Sequence, residues 1–238
     1  MSQSYFIFVK NILSMNRRQA IKTLTALVAV VRLPKFELRN KLRPLNIHFI
    51  GLGGAGCNVI EHIHKKGIDA RYTCITSLER PHLPDDIEFI QFGPADHDYH
   101  TYCKVEMKDL EISEDILNLF KSNLLFVLFA GFGGTTGTNL TRQLSAMLHQ
   151  NSKKFMLIFN MPFNFEGPSR KAFTLKAKQA MDGISNVHSF DLEVIRQKYE
   201  NVTLYFAFQK ADEYCYQLFR KNILMQSSDP SLIYSLPL

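Results

Sequence analysis

Two glycine-rich segments constrain the fold of this chain more than any other feature of its sequence. Gly51–Gly56 (GLGGAG) follows the apolar run 45–50, and residues 131–138 (GFGGTTGT) follow the apolar run 124–129. Each segment leads into a helical pattern, so each is predicted to be the loop that connects a strand to the helix after it. In a parallel sheet such turns lie on one edge, so both segments should face one crevice.

The expected occupant of this crevice is a polyphosphate. Two helix N-termini would offer it several backbone N–H groups and two positive dipole ends, and glycine lets the backbone approach closely.

Strands and helices alternate over the rest of the body. This order predicts the α/β class, with an open Rossmann-like parallel sheet and flanking helices. Further strands are predicted at 71–75, 88–92, 155–159 and near Val187, with helices at 57–66, after Ser113, at 139–150, before Gly183 and at 203–225. In the last helix Leu204, Phe208, Ala211, Cys215 and Leu218 are expected to form its buried stripe.

Length and charge divide the 238 residues into three parts: a basic, partly apolar tail (1–43), a globular domain (44–226) and a short C-terminal tail (227–238). The tail 1–43 has nine Lys or Arg against Glu37, a charge of +8, so the remaining residues contribute −2 to the net +6. No face of the domain has the dense basic pattern of a nucleic-acid binder, and nucleic acid is not an expected partner. The four cysteines lack the spacing of a zinc site or a disulfide framework.

The basic tail permits three interpretations. Residues 15–31 resemble a twin-arginine export signal, with Arg17 and Arg18 before a short apolar run, although no small-residue cleavage site follows. The same segment could be a docked helix or a contact with a membrane surface. It is too short to span a bilayer. A cytoplasmic location is the main expectation, with residues 1–43 as a docked helix first, membrane-peripheral binding through them second, and export as the minority expectation.

The first glycine segment alone fits two other classes of enzyme. Its Gly-x-Gly-x-x-Gly spacing matches a dinucleotide-binding fingerprint, but the second strand ends in Thr76-Ser77, where an acid would bind the ribose. It also matches the adenylating enzymes that activate ubiquitin-like proteins, but their acidic residues and zinc cysteines are missing. Neither class accounts for the second glycine segment.

Four sequence blocks occur in the order found in one family of cytoskeletal GTPases. They are residues 51–62 (GLGGAGCNVIEH), 130–138 (AGFGGTTGT), 162–170 (PFNFEGPSR) and 207–213 (AFQKADE). The chain from 45 to about 226 thereby resembles the tubulin/FtsZ family, as a truncated, divergent FtsZ-like protein.

The resemblance implies that the chain binds GTP or GDP, with Mg²⁺ as an accompanying ion. The two glycine segments would line the phosphates, Glu166 and Arg170 the ribose, and Phe208 the base. Asp212 stands where the family has an Asn that reads guanine; an ionised Asp can accept from both N1–H and the 2-amino group. The residues thus assigned to nucleotide binding are Gly51, Gly53, Gly54, Ala55, Gly56, Asn58, Gly133, Gly134, Thr135, Thr136, Gly137, Thr138, Glu166, Arg170, Phe208 and Asp212.

Several positions depart from the family pattern. Thr135 and Asn139 replace glycines, and we expect their side chains to crowd the phosphate loop. The acid- and histidine-rich stretch 93–100 replaces a glycine-rich loop, and we expect a solvated loop there rather than a metal site. Twelve residues follow Gln226, with Asp229 as their one acid, so neither the family's catalytic acidic loop nor its second domain is expected.

The functional expectation is therefore a guanine-nucleotide-binding protein that is not a self-sufficient GTPase. It would act on a complete FtsZ homologue or at a membrane. The alternative is an enzyme that uses the first glycine segment, through GTP hydrolysis by another route, adenylation or NAD binding. No catalytic or metal-binding residue is assigned.

Overall fold

A computed structural model describes residues 46–80, 82–93, 106–199, 202–226 and 236–237. The expectations for the tail 1–43, for the acid- and histidine-rich residues 94–100 and for Asp229 lie outside this part of the chain.

Six parallel strands form one sheet in the order β3-β2-β1-β4-β5-β6. Strands β1, β2 and β3 form one half of the sheet, in order from its centre to one edge, and the chain then returns to the other side of β1, where β4 begins the other half. This change of direction creates a switch point between β1 and β4, where open α/β sheets bind their ligands. The strands are β1 (Ile47–Leu52), β2 (Arg71–Thr76), β3 (Glu88–Gln91), β4 (Leu125–Gly131), β5 (Phe155–Met161) and β6 (Val187–Asp191).

Helices cover both faces of the sheet, as the predicted fold class requires. Strand residues alternate between two apolar clusters: Phe49 and Phe129 pack with α1, α5 and α6, whereas Ile50 and Leu128 pack with α2, α3 and α4. The helices are α1 (Gly53–His64), α2 (Glu114–Leu119), α3 (Thr135–Gln150), α4 (Pro168–Gln179), α5 (Leu192–Lys198) and α6 (Leu204–Gln226). The predicted α/β class and Rossmann-like parallel sheet are confirmed.

The glycine segments contain less loop than the sequence predicted. Helix α1 begins at Gly53 rather than Cys57, and α3 begins at Thr135 rather than Asn139. Four residues of each segment, 53–56 and 135–138, therefore form the first turn of a helix, whose N–H groups have no partner within the helix. Helix α5 was not predicted; the Asp191 side chain begins it by accepting from the N–H of Glu193 at 2.9 Å.

The buried stripe of α6 differs from the predicted one. Ala211 and Cys215 are buried as expected, but Leu204 and Phe208 are 53% and 42% exposed, and the stripe continues instead through Ala207 and Phe219. The spacing of three and four could not show that the first turns of α6 lie beside a cleft rather than over the sheet.

Among the described helices, none combines the length and the apolar character needed to cross a membrane.

Candidate functional site

Gly51 and Gly56 allow α1 to pack tightly against the middle of the sheet. A Cβ atom on Gly56 would lie 2.2 Å from the carbonyl oxygen of Phe129 in β4, and one on Gly51 would lie 2.7 Å from the backbone of Gly56. Such distances leave no room for any side chain. These two glycines place the start of α1 above the junction between β1 and β4.

The two glycine segments touch each other at that junction. Gly53 has φ +73°, and a Cβ atom there would lie 3.0 Å from the Cα atom of Gly137. Gly137 is equally confined, since its own Cβ would lie 3.0 Å from the carbonyl oxygen of Gly131. The N-termini of α1 and α3 are thereby brought to one place.

A pocket of about 340 Å³ opens at this place, on the carboxyl edge of the sheet. Its volume lies at the small end of the range for small-molecule sites. The residues that line it come from the first turns of α1 and α3, from the ends of β2, β4 and β5, and from α4, α5 and α6. They are Gly53, Gly54, Ala55, Thr76, Ser77, Leu78, Gly131, Phe132, Gly133, Gly134, Thr135, Thr136, Gly137, Asn160, Glu166, Arg170, Leu192 and Phe208.

The structure brings most of the sequence-assigned residues to this pocket. Those that line it are Gly53, Gly54, Ala55, Gly133, Gly134, Thr135, Thr136, Gly137, Glu166, Arg170 and Phe208. The other five assigned residues do not line it: Gly51, Gly56, Asn58, Thr138 and Asp212.

Thr138 and Asn139 make structural contacts and do not line the pocket. The Thr138 hydroxyl accepts from the N–H of Gly133 at 3.0 Å and is fully buried. Asn139 was expected to crowd the phosphate loop, but its side chain faces the other way: its Nδ2 donates to Glu106 O at 3.0 Å, and its Oδ1 accepts from Lys108 N at 3.3 Å. Asn139 thus ties α3 to the segment before α2.

A fixed ion pair forms another wall of the pocket. Arg170 donates through Nη1 to Glu166 Oε2 at 2.7 Å, one turn apart along the chain. The other oxygen of Glu166 accepts from Phe163 N at 2.8 Å. Both side chains are therefore oriented before any ligand arrives, and Arg170 adds a cation to a site otherwise rich in backbone N–H groups.

Phe208 and Asp212 lie one turn apart on α6, at one end of the pocket. Phe208 lines it and makes an edge-to-face contact with Phe163, with ring centroids 5.7 Å apart. Burial, together with the nearby carboxylate of Glu61, raises the pKa of Asp212 to about 7. Near neutral pH this carboxyl group therefore exists in both its charged and neutral forms.

Residues at the ends of β2 and β5 also line the pocket, although sequence reasoning assigned them no role. Thr76 is the last residue of β2 and is followed by Ser77 and Leu78, and Asn160 is the penultimate residue of β5, with 7% of its surface exposed. Asn160 had a detectable signal: it is the one polar residue in the apolar strand FMLIFNM, at the edge where ligands bind. Within the described residues, no group of three or more His, Cys, Asp or Glu could hold a metal ion.

Comparisons with known proteins agree with this architecture, although no family model matches the chain. The cell division protein FtsZ of Mycoplasmopsis pulmonis is 26% identical over 167 residues, which make up 67% of this chain and 40% of that protein. An empty FtsZ dimer of M. jannaschii has a TM-score of 0.57 at 18% identity, over 75% of this chain and 54% of that one. The GDP-bound CetZ1 monomer of Haloferax volcanii has a TM-score of 0.55 at 16% identity, over 79% and 62%.

The fold and the site define a Rossmann-like α/β protein with a ligand pocket at the switch point of its sheet. The chain is similar in sequence to FtsZ and shares its fold with solved structures of the tubulin/FtsZ family. The chain spans less than half the length of the curated relative described above.

Proposed function

We propose that the pocket binds a guanine nucleotide. The observation that carries this proposal is the convergence of two glycine segments on one pocket, with Gly53 against Gly137. The free N–H groups of two helix N-termini suit a di- or triphosphate, and CetZ1, which has the same fold, is described with GDP bound.

Each part of the nucleotide has a matching part of the pocket. Backbone groups of Gly53–Ala55 and Gly133–Gly137 would bind the phosphates, and the ion pair of Glu166 with Arg170 would meet the ribose. Phe208 would lie against the base, and ionised Asp212 would accept from N1–H and the 2-amino group of guanine. Mg²⁺ would bind chiefly through the phosphates, since Glu166 is already paired.

Equilibrium binding of fluorescent GDP, ADP and NAD to the purified chain tests the proposal. GDP should bind more tightly than ADP or NAD, and Asp212→Ala should remove the preference for guanine. Equal affinity for GDP and ADP in the parent chain would reject guanine recognition; tighter binding of ADP or NAD would favour the adenylating or dinucleotide-binding alternatives.

A size-matched pair of variants that differ in charge tests the phosphate site. Gly134 lines the pocket, and a Cβ there meets nothing within 4 Å. Gly134→Asp should weaken GDP binding about tenfold or more by repelling the phosphates, whereas Gly134→Asn, of the same size, should weaken it much less. Equal losses would mean that size, not charge, matters at this position.

We further propose that the chain acts by docking on a complete FtsZ homologue. Apolar side chains are exposed near Phe208: Leu204 and Tyr205 precede it by four and three residues on α6, and Phe165 stacks on Phe163, which contacts Phe208. An exposed apolar surface beside a ligand pocket suits a protein partner. The 238-residue chain would cap or modulate the partner's polymer.

Light scattering with a complete FtsZ tests this docking. The chain should change the rate or extent of assembly, and Leu204→Lys should abolish the effect. Met225→Lys is the matched control, because Met225 is an exposed apolar residue at the other end of the same helix. No effect of the parent chain at equimolar concentration would reject the partner proposal.

A further inference from the structure

Arg80 binds three polar groups on one face of α1. Its Nη2 atom donates to the carbonyl oxygen of Gly54 at 2.6 Å and to Oδ1 of Asn58 at 2.9 Å, and its Nη1 atom pairs with the carboxylate of Glu61. The three partners are spaced four and three residues apart, so they share a face of the helix. This arrangement uses three of the five N–H groups of the guanidinium.

This cluster connects the first glycine segment of the pocket with the neighbourhood of Asp212. Gly54 lines the pocket, and a Cβ atom there would be 3.8 Å from Nη2 of Arg80. Asp212 is close enough for both Arg80 and Glu61 to act on it electrostatically. Neither Asn58 nor Asp212 lines the pocket, however. The cavity therefore stops short of Asp212, and Arg80 lies in that region.

A base that lies against Phe208 must extend one turn along α6 to reach Asp212. We propose that Arg80 is a latch between the pocket and Asp212: its guanidinium holds Gly54, Asn58 and Glu61 together, and a purine reaches Asp212 only when Arg80 releases them. This inference rests on the proposed guanine-nucleotide site. It makes Arg80 a residue that controls the access of the base to Asp212.

A latch predicts an effect opposite to that of an ordinary binding residue. The apparent affinity is reduced by the fraction of molecules in which the latch is open, so its removal tightens binding. Arg80→Ala should therefore increase the affinity for GDP about tenfold, mainly through faster association. The same substitution should lower the melting temperature, because it removes the ion pair with Glu61. A purely structural role would lower stability and affinity together.

Stopped-flow and equilibrium binding of fluorescent GDP to the full chain, with melting curves for each variant, test the latch. Arg80→Lys should tighten binding less than Arg80→Ala, since it keeps the charge but not the planar fork. Arg142→Ala is the matched control, because Arg142 similarly bonds the carboxylate of Asp109 and a carbonyl, and neither it nor these partners line the pocket. It should leave GDP affinity unchanged.

Inorganic pyrophosphate, measured by calorimetry, separates the two ends of the pocket. Its affinity should change less than that of GDP between the parent chain and Arg80→Ala, because pyrophosphate has no base; any change it shows reports the bond of Arg80 to the Gly54 carbonyl beside the phosphates. GDP binding to the parent chain with equal or weaker binding to Arg80→Ala would overturn the latch and leave the proposed function intact. Failure of both proteins to bind GDP would overturn the proposed function and the latch with it.

Discussion

Gly53 lies so close to Gly137 that a Cβ atom on Gly53 would be 3.0 Å from the Cα atom of its neighbour. The two residues follow different strands, and their contact joins the starts of α1 and α3. The pocket depends on this contact, because each helix supplies one of its glycine-rich walls.

Gly53→Ala should therefore destabilise the chain and weaken GDP binding. The new methyl group meets backbone rather than a movable side chain, and φ +73° is unfavourable for alanine. We expect a loss of roughly 1–3 kcal/mol in the free energy of unfolding, measured by urea denaturation. Gly134→Ala is the control, since Gly134 has φ −91° and open space around it. Equal stability of the two variants would contradict the close contact.

Asp212 should make the protein less stable as pH rises from about 4 to about 7. Its native pKa, about 7, lies above its usual value of 3.8, so the folded chain retains a proton that the unfolded chain has lost. Asp212→Asn should therefore raise the free energy of unfolding by roughly 1–3 kcal/mol at pH 8 and by little at pH 4. Urea denaturation at both values checks this, with Asp182→Asn, an exposed carboxyl, as the control. An equal increase in the free energy of unfolding of Asp212→Asn at both pH values would contradict the raised pKa.

The same carboxyl group should make GDP binding depend on pH. Only ionised Asp212 accepts from both guanine groups, so affinity should fall by up to about tenfold between pH 8 and pH 6. Asp212→Asn should lack the loss of affinity that is caused by protonation of Asp212. Since ionisation of the GDP phosphates affects both proteins alike, the difference between their pH profiles reports the contribution of Asp212 alone. IDP, without the 2-amino group, should bind more weakly than GDP. Parallel pH profiles for the two proteins would reject this role of Asp212.

Asn139→Ala should loosen the segment before α2. It removes both hydrogen bonds of the buried Asn139 side chain, so that Glu106 O and Lys108 N each lose their partner. The expected loss is roughly 1–3 kcal/mol, together with faster proteolysis between 106 and 112. Asn151→Ala, which removes one exposed bond to Met147, should change stability by less than about 0.5 kcal/mol. Unchanged proteolysis in Asn139→Ala would contradict the tethering role.

The tail 1–43 should bind anionic lipid vesicles. Its +8 charge and apolar run favour such a surface, and binding should weaken as salt rises. A chain that begins at Leu45 should not bind, and neutral vesicles serve as the second control. Absence of binding at low salt would reject the membrane contact and favour a docked helix or an export signal.

The fold could be predicted from the sequence because its signals lie within short segments of the chain. Apolar runs and glycine turns identify parallel strands, and their order in the chain specifies helices on both faces. The contacts of Asn139 and Arg80 could not be predicted in this way. Asn139 replaces a family glycine, so only the position of residues 106–108 shows that its side chain turns away from the pocket. Arg80 follows β2 by four residues, and nothing in its neighbourhood indicates that it reaches across to α1.

The order of the strands also has a consequence for folding. Strand β1 pairs with β2 after a short helical connection, but its pairing with β4 joins Ile47 to Leu125 and closes a much longer loop. Such distant pairing forms slowly, and until it forms one apolar edge of β1 remains open. The contact between Gly53 and Gly137 requires that pairing, so the pocket is completed only late in folding. A bound nucleotide should therefore slow unfolding while leaving the early rate of folding nearly unchanged.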